Sequence, residues 1–218
     1  MGASWHILFF DMAFAARDEF LAMVQDRESF IRCMLGLFPE LLDNWEKKQI
    51  ERIDELAKSV AEGDEEIEVS IRQSESRKLD VKYEMENLFY QASFLVAYSA
   101  LESSILALSK ELSVPFLVDA ICKSKNHELS PEAKEANEFV FNEGRILRNN
   151  LCHNNSGTLN GRGLMEKLCR EESAGICYDG QQISFVNSNY IDRFLNQAHV
   201  LLAELCGITG HKVKYCGK

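Results

Sequence analysis

Apolar residues recur at helical spacing along most of this chain. From about Phe10 to Leu37 they return every three or four positions, and a second run with the same spacing follows Pro39. We expect Pro39 to separate two helices, the second of them long, heavily charged and ended by Gly63. In residues 69–82 an alternation typical of a strand gives way to a helical pattern, and we interpret the segment as helix.

The strongest helical pattern runs from Tyr83 to Leu112 and contains two apolar stripes. The first stripe consists of Met85, Leu88, Phe89, Ala92, Leu95 and Val96. The second stripe consists of Phe94, Tyr98, Leu101, Ile105, Leu108 and Leu112. A helix that is apolar on two sides belongs in the middle of a bundle, and we expect it there.

Polar start signals and turn residues divide the rest of the chain. Ser130 and Pro131 predict a helix start that leads to about Cys152, followed by a loop at residues 154–163. Two short apolar runs around Asp179-Gly180 predict a β-hairpin, and a last helix follows, capped by Ser188 or Asn189 and ending at Gly207. These elements predict an all-α helical bundle with long antiparallel helices and a small β-hairpin insertion near residues 176–186.

Length and composition fit one folded domain over residues 1–218. The chain is 46% hydrophobic and 27% charged, which excludes a disordered protein. Its longest apolar stretch, residues 94–101, is too short to cross a bilayer, and we expect no contact with a membrane. Seven cysteines without a C-x-x-C pair, and no recognisable secretory signal, favour a cytoplasmic location with reduced thiols.

Charge is distributed unevenly along the chain. The net charge of −10 has the wrong sign for a protein that coats nucleic acid without specificity. Residues 144–170, however, carry five cations against one anion, whereas residues 40–86 carry eight cations against fifteen anions. We therefore expect a polyanionic ligand to bind the first segment and to be repelled by the second.

The basic segment begins on the helix predicted to end near Cys152. On a helical wheel of residues 136–153, one side is apolar and forms the core face: Ala136, Phe139, Val140, Leu147 and Leu151. The opposite side carries the polar and basic groups: Phe141, Arg145, Arg148, Asn149, Cys152 and His153. One helix supplies only one wall for this group, so a second surface is needed to close a pocket.

The hexapeptide from Arg148 to His153 is similar to the Arg-polar-x-x-x-His signature of the HEPN superfamily, small helical proteins of which many are metal-independent ribonucleases. The segment from Tyr98 to Glu102 resembles the central helix of such domains. The resemblance covers residues 80–206 as a HEPN-like core, and residues 1–79 match only as an N-terminal helical extension. It implies a homodimer in which both Arg-His motifs line one cleft.

The resemblance also implies roles for residues of the motif. His153 serves as general base in one copy and as general acid in the other, and Arg148 binds the phosphate that is attacked by the RNA 2′-OH. Asn149 orients His153 or binds phosphate, and neither a metal nor another cofactor is required. The remaining candidate side chains comprise substrate-binding Arg145, Asn154 and Arg162 and the supporting Glu102.

Several alternatives are open at this point. Arg145 contacts phosphate or pairs with Glu102 or Glu143, and His199 is assigned no role. The expected partners are RNA, a second copy of the chain and an antitoxin or other defence protein. Asn155 stands where one toxin branch of the family has a modified tyrosine, which argues against that mode of neutralisation. The competing hypothesis is a catalytically inactive helical module that binds a nucleotide or a partner protein through the same cleft.

Overall fold

The computed structural model is an all-α helical bundle with one small β-hairpin, as predicted. The backbone is described for residues 19–153, 162–171, 174–178 and 182–209. The description of side chains omits, within these ranges, residues 19–24, 78, 153, 162, 164 and 165. Helices make up most of the described chain, and its sheet has two strands.

Helix α1 (Glu19–Ala61) runs without interruption through Pro39, so the predicted separation into two helices was wrong. Proline lacks the N–H that would bond the carbonyl of Leu35. Leu35 and Leu42 are nevertheless both buried, so the apolar face continues on either side of the proline. The ring of Phe38 also stacks on Phe89, with centroids 3.9 Å apart. Packing along this face offsets the lost backbone hydrogen bond.

A tight turn reverses the chain after α1. Gly63 has φ of +96°, in the left-handed region that glycine adopts without strain. The Asp64 carboxylate then caps helix α2 (Glu65–Ser76) by accepting hydrogen bonds from two N–H groups of its first turn, at 3.0 and 3.2 Å. A 3₁₀ turn (Arg77–Asp80) follows directly. The helical interpretation of residues 69–82 is therefore confirmed.

Helix α3 (Val81–Glu111) runs antiparallel to α1. At its start, the Lys82 ammonium lies 2.6 Å from Asp43 and 2.7 Å from Glu46 of α1. Further along α3, Phe89 meets Phe38, which lies earlier in α1. Rising numbers on one helix thus meet falling numbers on the other, and the predicted pair of long antiparallel helices is confirmed.

The two apolar stripes of α3 differ in burial. The second stripe is in the core, with Phe94 and Ile105 both 0% exposed. Much of the first stripe faces outward instead, with Leu88 62% and Val96 54% exposed. Helix α3 packs against α1 and against elements from the C-terminal half of the chain, so it lies in the middle of the bundle as expected, but its first stripe is not fully covered. We call the exposed face the outer stripe of α3; it consists of Val81, Met85, Leu88, Ala92, Val96 and Leu106.

An apolar window within residues 65–111 is long enough to cross a membrane by length and composition. Its mean hydropathy is 1.4, and half of the window is buried inside the fold. Core helices of folded domains pass the same test, so this property alone is weak evidence for a membrane span.

The helical segment that starts at Ser130 and Pro131 follows the short helix α4 (Val118–Ser124) and reaches His153. The Ser130 hydroxyl accepts a hydrogen bond from the third residue of the helix at 3.2 Å, which confirms the predicted cap. The segment has three consecutive parts: helix α5 (Pro131–Glu138), a π-helical stretch (Phe139–Gly144) and helix α6 (Arg145–His153).

The predicted β-hairpin is confirmed. Strands β1 (Ile176–Tyr178) and β2 (Ile183–Phe185) pair antiparallel, with Ile176 opposite Phe185. Helix α7 (Arg162–Arg170) precedes the hairpin, so the predicted loop at residues 154–163 gives way to helix at its last two positions. Its first eight residues lie outside the described residues.

The last described element, helix α8 (Asn189–Thr209), begins after Ser188 as predicted and continues two residues beyond Gly207. It packs against α3 and α5, and Phe194 is fully buried among core aromatic rings. A Cβ on Gly144 would lie 2.9 Å from the Phe194 ring and 3.6 Å from that of Tyr98. Glycine at this position therefore lets the start of α6 approach both helices closely.

Candidate functional site

Helix α6 presents its two faces as the wheel predicted. Leu147 is fully buried on the core face. Arg148 and Asn149 are half-buried on the other side, and Arg145, one turn earlier, is exposed. Nη1 of Arg148 donates a hydrogen bond to Oδ1 of Asn149 at 2.9 Å. The amide of Asn149 thus helps to hold the Arg148 guanidinium, although the sequence assigned it to His153 or phosphate.

The motif helix follows directly on the π-helical stretch. π-Helical turns are rare and frequently occur at functional sites, because the extra residue in the turn changes the direction of nearby side chains. Here the stretch ends at Gly144, where an added Cβ would lie 3.6 Å from the Tyr98 ring of α3. Arg145 follows immediately, so the first basic group of α6 comes directly after this close approach of the two helices.

Charged groups of α3 and α6 influence the buried side chain of Tyr98. Its side chain is 1% exposed, and its hydroxyl has no hydrogen-bond partner among the described residues. Burial and the charge of Glu102 raise the pKa of Tyr98 to about 12, while the charges of Arg145 and Arg148 partly oppose the shift. The Tyr98 hydroxyl is therefore neutral at physiological pH and is influenced by one carboxylate and two guanidinium groups.

The structure brings four of the predicted site residues into this neighbourhood. Glu102 is half-buried one turn beyond Tyr98 on α3, the charges of Arg145 and Arg148 act on the same hydroxyl from α6, and Asn149 is hydrogen-bonded to Arg148. Neither Glu102 nor Arg145 has a hydrogen bond or an ion pair within the described part of the chain. The suggested pairing of Arg145 with Glu102 or Glu143 is thus absent from that part.

Three predicted site residues cannot be placed in the same way. His153 ends α6, but its side chain is outside the described part of the structure. Asn154 lies entirely outside the described residues. Arg162 is the first residue of α7, and its side chain is likewise not described. Their roles stay predictions.

Two polar residues near the motif were missed by the sequence analysis. Asn150 is only 5% exposed and lies between Leu147 and Leu151 on the core side of α6. The sequence did indicate this residue, because a polar amide at a core position of the helical wheel is unusual. Tyr98 was counted only as an apolar member of a stripe, because a wheel does not show whether a buried hydroxyl finds a partner.

Glu143 lies near Lys167 and Tyr190 and does not pair with Arg145 in the described part of the chain. Its Oε1 lies 3.8 Å from the Lys167 ammonium of α7, and its Oε2 is buried without a hydrogen-bond partner in the described chain. Burial and the charge of Glu143 raise the pKa of the neighbouring Tyr190. The ion pair of Glu143 and Lys167 links the π-helical stretch to α7.

A groove of about 440 Å³ lies between α1 and α3 beside the outer stripe. Phe30 of α1, 64% exposed, and Val96 of α3 line it together with Ser99 and Arg27. Within the described residues, no group of three or more His, Cys, Asp or Glu side chains could hold a metal ion.

Comparisons with known proteins do not identify the chain, since no family model, no curated protein and no solved structure matches it. The chemistry of its own residues therefore carries the functional argument.

Proposed function

We propose that this protein is a metal-independent endoribonuclease of the HEPN type that acts as a homodimer, in a toxin or antiviral defence system. The observation that carries the proposal is the pair of arginines on α6. Arg148 is half-buried with Asn149 as its hydrogen-bond partner, and Arg145 is exposed one turn away. Two guanidinium groups on one face form a binding surface for phosphate oxygens.

The chemistry follows from the substrate as well as the protein. RNA carries its own nucleophile, the 2′-OH, and a base that removes its proton lets the oxygen attack the adjacent phosphorus. The bond to the 5′-oxygen breaks, an acid protonates that oxygen, and the products are a 2′,3′-cyclic phosphate and a 5′-hydroxyl. We assign the base and the acid to His153 of the two copies, since imidazole titrates near neutral pH. Arg148 stabilises the negative charge that develops on the phosphorane.

The homodimer is supported by the outer stripe of α3. From Val81 to Leu106 the stripe is about 38 Å long at 1.5 Å per residue, and Phe30 of α1 adds exposed apolar area beside it. Exposed apolar surface along one helix face is typical of protein interfaces, although Ser99 and Ser103 interrupt this face between Val96 and Leu106. Helix α6 also packs on α3, at the buried stripe that includes Tyr98, and a second copy on the outer stripe would place two motif helices on one helix pair.

The test is RNA cleavage in the presence of EDTA. We expect wild type to cut a labelled single-stranded RNA and to leave 2′,3′-cyclic phosphate ends, and His153→Ala and Arg148→Ala to lose at least about 100-fold in rate. Arg52→Ala, which removes an exposed arginine of α1, is the matched control and should cut normally. Equal rates for wild type and both motif variants would contradict the proposal.

A second candidate is a catalytically inactive helical module that binds a nucleotide or a partner protein through the same cleft. The net charge of −10 favours it, because proteins that act on many RNAs are usually basic. The two candidates differ in the cleavage assay. An inactive module would bind a nucleotide in an Arg148-dependent manner and leave the RNA intact.

A further inference from the structure

The Tyr98 hydroxyl is a buried donor for which the described chain supplies no acceptor. A buried polar group without a partner is costly, and most such groups in folded proteins are hydrogen-bonded. The ring itself is firmly held, since it stacks on Phe194 with centroids 5.7 Å apart, and a Cβ added at Gly144 would lie only 3.6 Å from it. The hydroxyl therefore cannot move far to reach an acceptor, and we look for the acceptor in a bound ligand.

The groups around the hydroxyl determine what kind of partner this is. Arg145 and Arg148 contribute two positive charges and Glu102 one negative charge. The neighbourhood is thus net positive, and an acceptor that carries negative charge is favoured over a neutral one. Because the raised pKa keeps the Tyr98 hydroxyl protonated, it is a donor throughout the physiological pH range.

We infer that Tyr98, Arg145 and Arg148 together form a binding site for a compact oxyanion, specifically a phosphodiester phosphate, with the Tyr98 hydroxyl as a hydrogen-bond donor at its base. Arg145 and Arg148 approach from α6, and Tyr98 approaches from α3. The Glu102 carboxylate repels the bound anion and so lowers the affinity of the site for phosphate. This inference deepens the proposed function and rests on it only in taking the anion to be part of RNA.

Tyr98 is 1% exposed, so neighbouring side chains must shift when phosphate enters. Arg145 is exposed and free to do so. Arg148 has to exchange or share its hydrogen bond with Asn149. Phosphate then accepts from two guanidinium groups and one phenol, which are directional donors of a kind suited to its tetrahedral oxygens.

The experiment measures binding of a short single-stranded oligodeoxynucleotide, which lacks the 2′-OH and cannot be cut by the proposed chemistry. Fluorescence anisotropy at low salt gives its Kd, and inorganic phosphate serves as competitor. We expect Tyr98→Phe, which removes only the hydroxyl, to weaken binding about tenfold. Glu102→Gln removes the opposing charge and should strengthen binding about twofold to fivefold.

The matched control is Tyr190→Phe. Tyr190 is also fully buried with an unpartnered hydroxyl in the described chain, but its charged neighbours are Glu143 and Arg193. The Kd of Tyr190→Phe for the oligonucleotide should equal that of wild type. Circular dichroism checks that all three variants are folded. A merely structural role of Tyr98 would not produce opposite changes for Tyr98→Phe and Glu102→Gln.

Two outcomes separate this inference from the proposed function. If Tyr98→Phe binds the oligonucleotide as tightly as wild type, the inference is overturned even where RNA is cleaved. If binding changes as expected while wild type leaves RNA intact, the anion site stands and the ribonuclease assignment fails. No binding by wild type in the absence of competitor also overturns the inference.

Discussion

At the scale of single residues, Glu28 and His199 form a contact between two helices that are far apart in the sequence. Glu28 Oε2 and His199 Nδ1 are 3.1 Å apart, which ties α1 to α8. Arg32 extends the contact, with hydrogen bonds to Asp192 at 3.2 Å and Asn196 at 2.8 Å. The sequence analysis gave His199 no role, because its partner lies 171 positions away along the chain.

The pair makes stability depend on pH in a defined window. The hydrogen bond with Glu28 raises the pKa of His199 above 6.5, against the effect of burial. Burial raises the pKa of Glu28, but hydrogen bonds with His199 and Arg32 outweigh it and lower that pKa below 4.5. The contribution of His199 is lost as pH rises through its raised pKa, and that of Glu28 is lost as pH falls through its lowered pKa.

We therefore expect His199→Gln to reduce the free energy of unfolding most between pH 4.5 and 6.5, the ordinary pKa values of the two groups. Urea unfolding of both proteins from about pH 4 to about pH 9 measures the difference. Val200→Ala is an uncharged change at the next position of α8. Its effect on the free energy of unfolding should not vary with pH. A difference for His199→Gln that does not vary with pH would show that the pair contributes no charge effect.

At the scale of secondary-structure elements, α1 shows tertiary packing overriding a local signal. Pro39 breaks the backbone hydrogen-bond pattern, and on local grounds the helix should end there. The apolar face that includes Leu35 and Leu42 packs continuously along α3, and separation would expose one half of it. The element is longer than predicted because this packing offsets the hydrogen bond that is lost at Pro39.

Pro39→Ala should stabilise the protein by about 1–3 kcal/mol, since alanine restores the hydrogen bond to the Leu35 carbonyl and removes the ring clash. The shift in urea midpoint measures the change. Glu40→Ala, a substitution at the exposed next position, should change stability by less than about 0.5 kcal/mol. Loss of stability in Pro39→Ala would mean that a bend at Pro39 is required for Phe38 to stack on Phe89.

At the scale of the whole molecule, two exposed surfaces differ in chemistry. The outer stripe of α3 is apolar, and the polar face of α6 carries the arginines. The acidic hairpin of α1 and α2 lies at the opposite end of the long helix pair from the buried half of α3, and its charge repels nucleic acid. Under the proposed function, RNA approaches α6 and a second copy associates through α3.

Leu88→Asp should convert a dimer into a monomer, because it places a charge in the middle of the outer stripe. Light scattering coupled to gel filtration measures the mass, and circular dichroism confirms the fold. Val60→Asp is the control, since Val60 is 55% exposed on α1 but lies outside the stripe. A wild-type mass of one chain at about 50 μM, well above typical dimer constants, contradicts the proposed dimer.

Particular residues mark the limit of prediction from sequence. The cap at Ser130, the hairpin at Ile176 and Phe185, and the exposed side of α6 with Arg148 were all predicted, because each depends on neighbours close in the chain. Tyr98 was missed as a polar group. Its hydroxyl lacks a hydrogen-bond acceptor because the helices packed around it place none there among the described residues, and the sequence does not show this.

The sequence by itself determined the helical fold class, the hairpin and the face on which Arg145, Arg148 and Asn149 stand, since periodicity and caps are local properties of the chain. Only the tertiary structure decided that α1 continues through Pro39, that one stripe of α3 is exposed, and that Glu102 and Tyr98 lie beside the two arginines. Those outcomes depend on contacts between helices far apart in sequence, and the packing energy of such contacts outweighs local preference.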